Sequence, residues 1–368
     1  YDPESWGKGK IIITSRDHNL GNNNYINHTI QIKELNAKEK LTLFNNIMRI
    51  GNVHHSQIGY KKFLDNIPPF PLDISTAAYY LKATNVTLEG YLKHLMNYNQ
   101  EFAETQEHIL KEASDYTKTR YSIITLSLKK IIDTQKNFEK LLLLISLLDP
   151  KNIPKSLLDT CGDNSLVDGL FYHLNKYSLI ANETYRNLIP VFSIHRTTQE
   201  ISLAYLKKTL TLRKDNILLD KVANMLESYI TEILDKEDFL QMKLLLSQGE
   251  AFLKHDELLS NRIKDSLKSV LGCFYYYLSN YVKAKQLLEG SLLNLRNDYH
   301  NNHHKIARAL MYLGNVYRTL GDFEKAKNLL EESLSIYTQY PGNYVGNGRA
   351  LGYLGIIYRG LGDYSKAR

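Results

Sequence analysis

The chain has 368 residues, with 46 Lys or Arg against 39 Asp or Glu and a formal net charge of +7. This length suffices for two or three domains with hydrophobic cores of their own, and the two cysteines exclude a disulfide-rich scaffold and indicate a reducing compartment. The sequence lacks an apolar run of about 18 residues and an export signal at its start, which predicts no membrane-spanning helix and a cytoplasmic location, with secretion into a host cell left open.

The first segment that carries chemistry is "GKIIITSRD", residues 9–17. A β-branched run followed by polar residues is typical of a buried strand that ends in a loop. Ligands bind at the carboxyl ends of such strands in α/β proteins, so Thr14, Ser15 and Arg16 lie where a phosphate would bind.

Two helical segments come next. "IQIKELNAKEKLTLF", residues 30–44, predicts a short strand and then an amphipathic helix with Leu41 and Phe44 on its inner face. In "PFPLDISTAAYYLK", residues 69–82, prolines stop the chain before a second helix. The apolar side chains predicted for that helix are Leu72, Ala77, Ala78 and Leu81.

Residues 118–180 predict an apolar helix, a loop with proline, a short helix and a helix that enters a β-hairpin. This order is that of a winged helix, which in isolation suggests DNA binding. Its candidate recognition helix, in "DNSLVDGLFYHLNKYSLI", has few basic residues, so we predict packing against a nucleotide domain and no nucleic-acid partner. The following segment, "LIPVFSIHRTTQEISLAYL", predicts a strand that ends at His195 and a helix that starts near Thr197.

In order and spacing, four of these segments resemble the NB-ARC module of STAND-class switch ATPases over about residues 1–210. That module has a strand ending in "TTRD" or "TSRD", a helix ending in "LF", a "GLPLA" turn and an "MHD" motif. The resemblance implies that Arg16 reaches the terminal phosphate of a nucleotide, that Pro71 lies against the adenine, and that His195 contacts the β-phosphate of ADP.

Two positions depart from the family pattern. Pro69 and Phe70 replace Gly-Leu before Pro71, and Arg196 replaces the acid of "MHD". The sequence also lacks a G-x-x-x-x-G-K-[ST] loop and a strand with paired aspartates for magnesium. We therefore expect ADP or ATP with magnesium to bind in an intact parent protein, but not tightly to this chain alone, which should not hydrolyse ATP.

The last third of the chain repeats itself. Gly272, Gly314 and Gly355 are separated by 42 and 41 positions, a period typical of a helical solenoid. The side chains of the middle copy's first helix that share one face are Leu310, Leu313, Gly314 and Tyr317. "GD" at residues 321–322 then predicts a helix end and the cap of a second helix, whose Ala326 faces Gly314.

These repeats resemble tetratricopeptide (TPR) repeats, with a period longer than the usual, roughly 34 residues, as in kinesin-light-chain repeats. The chain stops inside a copy, which predicts a fragment. By resemblance, an extended protein or peptide partner would bind in a groove lined by Arg308, Asn315, Arg318, Arg349, Ile356 and Arg359. The arginines favour an acidic partner, because guanidinium pairs bidentately with carboxylates; solvated surface arginines remain the alternative.

We therefore predict a mainly α-helical chain in five parts: the end of an α/β nucleotide-binding domain (1–32), a helical ARC-type domain (33–112), a winged helix (113–212), a helical linker or degenerate repeats (213–264) and a solenoid of TPR helix pairs (265–368). The expected function is part of an ADP/ATP-controlled signalling switch of bacterial type, with nucleotide-dependent self-assembly. A TPR scaffold with a vestigial nucleotide module and an NB-ARC-TPR transcription regulator remain alternatives. The sequence predicts no metal site.

Overall fold

The computed structural model describes residues 30, 33–49, 57–105, 115–160, 164–214, 216–340 and 342–367. The helices of these residues are α1 (Ala37–Arg49), α2 (Gln57–Asp65), α3 (Pro71–Thr84), α4 (Leu88–Thr105), α5 (Asp115–Thr134), α6 (Phe138–Leu147), α7 (Lys155–Asp159), α8 (Asn164–Lys176), α9 (Arg196–Thr209), α10 (Ile217–Asp235), α11 (Phe239–Leu253), α12 (Asn261–Tyr277), α13 (Tyr281–Leu295), α14 (Tyr299–Thr319), α15 (Phe323–Gln339) and α16 (Tyr344–Gly360). The strands are β1 (Ile153–Pro154), β2 (Ile180–Arg186) and β3 (Ile189–Ile194). The predicted mainly helical fold is confirmed, while the predicted strand at residues 9–17 lies outside the described residues.

Helix α1 begins with a capping box. The side chain of Asn36 accepts from the backbone N–H of Glu39 at 3.0 Å, and the Glu39 carboxylate accepts from the N–H of Asn36 at 2.9 Å. The strand predicted just before this helix is absent from residues 33–36, where one hydrogen bond from Leu35 N to Pro69 O replaces a ladder. Phe44 is fully buried, as predicted, with its ring centroid 5.0 Å from that of Tyr60.

Helix α3 starts where the prolines predicted it to start, with Pro71 in its first turn and Ala77, Ala78 and Leu81 buried. The same helix carries a fully buried Asp73, which accepts from the guanidinium of Arg120 on α5 at 2.6 to 3.1 Å. Burial raises the pKa of Asp73 to about 6, although the Arg120 charge acts to lower it. This pair joins the helices before residue 105 to those after residue 115.

The three strands form a small antiparallel sheet in the order β1-β3-β2. Ile153 lies opposite Phe192, and Ile180 lies opposite Ile194. The predicted helix that enters a β-hairpin is present as α8, β2 and β3. Asn187 and Leu188 connect the two strands with positive φ angles of 50° and 67°, as a two-residue hairpin turn of type I′ requires.

From residue 217 onward the helices form consecutive antiparallel pairs: α10 with α11, α12 with α13, and α14 with α15, followed by α16. The first helices α10, α12, α14 and α16 also pack side by side. The repeats were predicted to begin at residue 265. The structure adds one helix pair before them, α10 with α11. The surface that the four first helices share is called the inner surface below.

Glycine allows close packing within the pairs, as the sequence predicted. A Cβ on Gly314 would lie 2.8 Å from Cγ of Leu330 and 3.2 Å from the carbonyl oxygen of Ala326. In the preceding repeat, a Cβ on Gly272 would lie 2.7 Å from Cγ of Leu288. The two backbones approach because no side chain stands between them.

The turn between the helices of a pair also repeats. Gly321 has a φ of 87°, and the side chain of Asp322 accepts from the N–H of Lys325 at 3.1 Å. The predicted helix end and cap are therefore confirmed. The residues at the same turn position, all with positive φ, are Glu237, Ser279, Gly321 and Gly362. Their spacing of 42, 42 and 41 extends the repeat period upstream to the α10–α11 turn.

Tyrosine and glutamate tie each pair to the next. Tyr317 of α14 donates to Glu289 of α13, and Tyr358 of α16 donates to Glu331 of α15 at 2.5 Å. Tyr275 of α12 donates in the same way to Glu250 of α11, which also binds Lys283. The bond to Glu289 raises the pKa of Tyr317 above its ordinary value, so this phenol stays protonated and keeps donating.

Candidate functional site

The residues predicted to contact a nucleotide lie far apart in the chain. Arg16 is outside the described residues. Pro71 is exposed in the first turn of α3, and His195 is exposed at the N-cap of α9, directly after β3. Neither lines either of the two best-defined cavities of the described residues, so their nucleotide roles stay predictions.

The larger of those cavities, about 520 Å³, is an open groove between α3 and α8. Its polar lining comes from Tyr79, Lys82, Tyr172, Asn175 and Lys176. The Lys176 ammonium lies 5.8 Å from the ring centroid of Tyr172. The groove therefore has a basic and aromatic character that the sequence analysis did not single out.

The residues that were predicted to bind a peptide lie on the first helices α14 and α16, and their binding role stays a prediction. Side chains on α14 and α16 reach across the inner surface to α10 and to the turn that follows it. Lys305 of α14 donates to Glu227 of α10 at 2.8 Å, and Arg349 of α16 donates to the carbonyl oxygen of Asp235 at 3.4 Å. These contacts join α10 to both α14 and α16, and the part of the inner surface between these helices is called the groove below.

Arg308 lies deep in this groove, with 13% of its side chain exposed. Its guanidinium donates to the Thr231 hydroxyl at 3.3 Å and lies 4.0 Å from the Glu227 carboxylate. Lys305 binds the same carboxylate and also the Ser266 hydroxyl at 2.5 Å. Glu227 therefore already balances part of the positive charge at this end of the groove.

Asn315 and Arg318 are joined to each other. Asn315 is fully buried, and its side-chain oxygen accepts from Nε of Arg318 at 3.1 Å. Because a fully buried amide has little reach into solvent, Asn315 orients the half-buried Arg318. Ile356 is 40% exposed and Arg359 is exposed on α16, so both are open to a partner.

Arg349 has the most elaborate contacts of the predicted residues. It donates to the Glu237 carboxylate at 2.9 Å and lies 3.5 Å from the Tyr312 hydroxyl. The same carboxylate oxygen of Glu237 accepts from the Tyr277 hydroxyl at 2.9 Å. The side chain of Glu237 is 46% exposed, against 20% for Arg349.

Aromatic side chains surround this arginine. The ring centroids of Tyr276 and Tyr277 each lie 5.6 Å from that of Tyr312, and Phe239 lies 5.6 Å from Tyr277. Burial raises the pKa of Tyr277, Tyr312 and Tyr353 above its ordinary value, so all three are neutral donors at physiological pH. Charged and neutral hydrogen-bond donors therefore lie beside an aromatic wall in this part of the groove.

Sequence reasoning missed Glu227 on α10, Glu237 in the α10–α11 turn, Lys305 and the tyrosines. The "FYYY" run at residues 274–277 was a visible signal, since three adjacent tyrosines place a phenol on both faces of a helix. Glu237 could have been found from the 42-residue spacing to Ser279. The described residues contain no group of three or more His, Cys, Asp or Glu that could hold a metal ion, and none of their helices is long and apolar enough to cross a membrane.

Comparison with known proteins gives two matches. The tetratricopeptide-repeat family model matches residues 266–339 and, in a second register, residues 306–368. No curated protein matches. Among solved structures, the chain is similar to a signal transduction ATPase with numerous domains (STAND) protein with a tetratricopeptide repeat sensor from Pyrococcus horikoshii, at 15% identity and a TM-score of 0.27. That match covers 91% of this chain, which spans 58% of the length of the other protein. The helix pairs and the match of the family model together show that residues 266–368 are tetratricopeptide repeats.

Proposed function

We propose that the chain is the partner-binding part of an ADP/ATP-controlled switch, in which the inner surface of the repeat array binds an extended protein segment. The repeats support a protein-interaction role, and the arrangement around Arg349 carries the finer proposal. Arginine and phenol donors converge there beside an aromatic wall, which is the chemistry that recognises a carboxylate and the side chains next to it.

The partner-binding role is tested by selection of displayed peptides on the purified protein. We expect enriched peptides to bind the wild-type chain and to lose at least about tenfold in affinity to Arg318→Glu, which reverses a charge in the groove. Lys243→Glu is the matched control, because Lys243 is exposed on α11, a second helix, and carries the same charge. Equal loss in both variants, or no enriched peptide, would contradict binding at the inner surface.

The switch part of the proposal assigns roles outside the repeats. Arg16, Pro71 and His195 would contact ADP or ATP together with a phosphate-binding loop and magnesium supplied by a longer protein. Residues 1–32 would end its nucleotide domain, 33–112 would form the ARC-type domain and 113–212 a winged helix. The position of His195 at the junction of β3 and α9 supports this, because a contact there would couple a nucleotide to the helix that follows.

Retention of fluorescent ADP is the measurement for the switch. A longer polypeptide that includes a phosphate-binding loop should retain ADP, and His195→Ala should release it faster. Glu200→Ala, in the next turn of α9, serves as the control because Glu200 is also exposed and pairs with Arg196 on its own helix. Identical release from both variants would contradict a role for His195.

Two other functions remain as outcomes of these tests. Loss of the family's Gly-Leu before Pro71 and of the acid after His195 favours a TPR scaffold with a vestigial nucleotide module. That scaffold predicts normal peptide binding without ADP retention. A transcription regulator predicts duplex DNA binding that weakens steeply with added salt.

A further inference from the structure

We infer that Glu237 occupies the carboxylate-binding position of the inner surface as an internal ligand, and that a protein partner binds by placing an Asp or Glu side chain, or a chain terminus, in its place. The inference rests on the proposed partner-binding function and specifies the chemistry of that site. The contacts of the Glu237 carboxylate, its place in the repeat and its exposure support it.

The first support is the contact set of the carboxylate. Oε1 of Glu237 accepts from Arg349 Nη2 and from the Tyr277 hydroxyl, both at 2.9 Å, and the Tyr312 hydroxyl in turn donates to that of Tyr277 at 3.2 Å. Donors from α12 and α16 therefore converge on an oxygen from a third element, the α10–α11 turn. A carboxylate from another chain would find the same donors.

The second support is the position of Glu237 in the repeat. The equivalent turn residue is Ser279 in the second pair, Gly321 in the third and Gly362 after α16, all at positive φ. Glu237 adopts this conformation with a φ of 53°, although a side chain makes left-handed backbone unfavourable. In the first pair alone, the turn thus carries a long acidic side chain where the chain's other copies carry small residues.

The third support is that the internal contact can be displaced. Glu237 is nearly half exposed, and its loop meets α16 through one further bond, from Arg349 to the Asp235 carbonyl. Exposed ion pairs contribute about 0.2–1 kcal/mol each. The deeper pair of Glu227 with Lys305 and Arg308 is less exposed and would keep α10 in place when Glu237 leaves.

The occupant that fits is a segment with a carboxylate next to apolar or aromatic side chains. Tyr353 interacts electrostatically with both Arg349 and Tyr276, both tyrosine rings are half-buried, and Ile356 and Arg359 follow along α16. A partner carboxylate at Arg349 would therefore have an aromatic wall on one side and a second cation further along. An uncharged amide would lack the pairing with Arg349.

The test is the binding of a fluorescent hexaglutamate peptide, measured by anisotropy against hexaglutamine at low salt. Glu237→Gln keeps the backbone and removes the internal carboxylate, so we expect it to bind hexaglutamate about two- to fivefold more tightly than the wild type. Glu237→Gly should show the same gain in affinity for hexaglutamate. Because glycine adopts a positive φ without strain, this variant also covers the case in which Glu237→Gln is unstable. Adding Arg349→Gln to Glu237→Gln should abolish the gain.

Glu232→Gln is the matched control. Glu232 lies on α10, one turn before Glu237's loop, and carries the same charge, but it pairs with Lys236. An equal gain in Glu232→Gln would assign the effect to net charge and overturn the inference. Unchanged affinity in Glu237→Gln, with binding that still needs Arg349, would also overturn it but leave the proposed function standing. Failure of every variant to prefer hexaglutamate would overturn it as well, and the peptide selection would then decide the proposed function separately.

Discussion

The repeat array and the helices before it are stabilised in different ways. In the array, contacts recur at regular offsets: a glycine against a leucine returns after 42 positions, and both the tyrosine that binds a glutamate and the turn residue at positive φ return every 41 or 42 positions. In residues 33–214, single contacts join distant segments, such as Asp73 with Arg120 and Gln199 with the carbonyls of Ile145 and Leu148. A periodic region distributes its stability over many similar contacts, whereas the other region concentrates it in a few.

The largest expected effect comes from breaking one such unique contact. Arg120→Ala removes the guanidinium that pairs with the fully buried Asp73 carboxylate, which should cost about 3–5 kcal/mol of unfolding free energy at pH 7. Burial already raises the pKa of Asp73 above its unfolded value, and the variant raises it further. The folded variant therefore takes up a proton more readily than the unfolded chain, so its stability recovers as the pH falls from 7 toward 4. Urea unfolding at pH 7 and pH 5 measures this, and a loss that does not shrink at pH 5 would contradict it.

The next effect concerns packing within a repeat. Gly314→Ala places a methyl group 2.8 Å from Leu330 Cγ and should destabilise the array by about 1–3 kcal/mol. Gly290→Ala on α13 is the matched control, because a Cβ there meets nothing within 4 Å. Alanine favours the interior of a helix more than glycine does, so Gly290→Ala should stabilise the chain by about 1 kcal/mol. Thermal unfolding should shift in opposite directions, and a shift in the same direction would contradict the close packing of α14 on α15.

Removing a tyrosine–glutamate hydrogen bond between two helix pairs should have a smaller effect on stability. Tyr317→Phe removes the donor to Glu289 and keeps the ring, for a loss of about 1–2 kcal/mol. Tyr344→Phe is the control, since Tyr344 is 80% exposed at the start of α16 and should change stability by less than about 0.5 kcal/mol. Chemical denaturation monitored by circular dichroism compares them. Equal losses of stability in the two variants would contradict a specific role for the hydrogen bond between Tyr317 and Glu289.

The smallest effect tests the turn position. Ser279→Gly should stabilise the chain by about 1 kcal/mol, because Ser279 holds a φ of 61° that glycine adopts without strain. Gly321→Ser makes the reverse change one repeat later and should cost a similar amount. Melting temperatures of the two variants provide the comparison. Changes of the same sign would show that the two turns are not equivalent.

Much of the array could be predicted because its partners follow from the period. The sequence placed Gly314 against Ala326, predicted the cap at Asp322 and put Arg308, Arg318 and Arg349 on the first helices. It could not predict that Glu227 and Glu237 approach Lys305 and Arg349, because those distances depend on how strongly the solenoid curves. The curvature of a solenoid is the sum of small rotations between successive helix pairs, so it cannot be derived from any single residue.

Before the array, element types were easier to predict than contacts. Prolines marked the start of α3 correctly, and the β-hairpin predicted after a helix is present as β2 and β3. The strand predicted in residues 30–44 is absent from residues 33–36, because the Asn36–Glu39 capping box starts a helix there. The buried pair of Asp73 and Arg120 lies 47 positions apart without any periodic signal.

The tyrosine–glutamate ties also bear on how the array would respond to force. Each tie crosses a seam between neighbouring pairs, and successive seams carry nearly the same set of groups: Tyr275 with Glu250, Tyr317 with Glu289, and Tyr358 with Glu331. A load along the solenoid axis would therefore meet equal resistance at each seam. Stretching a single molecule should then extend it in steps of one helix pair, with successive rupture forces close to one another.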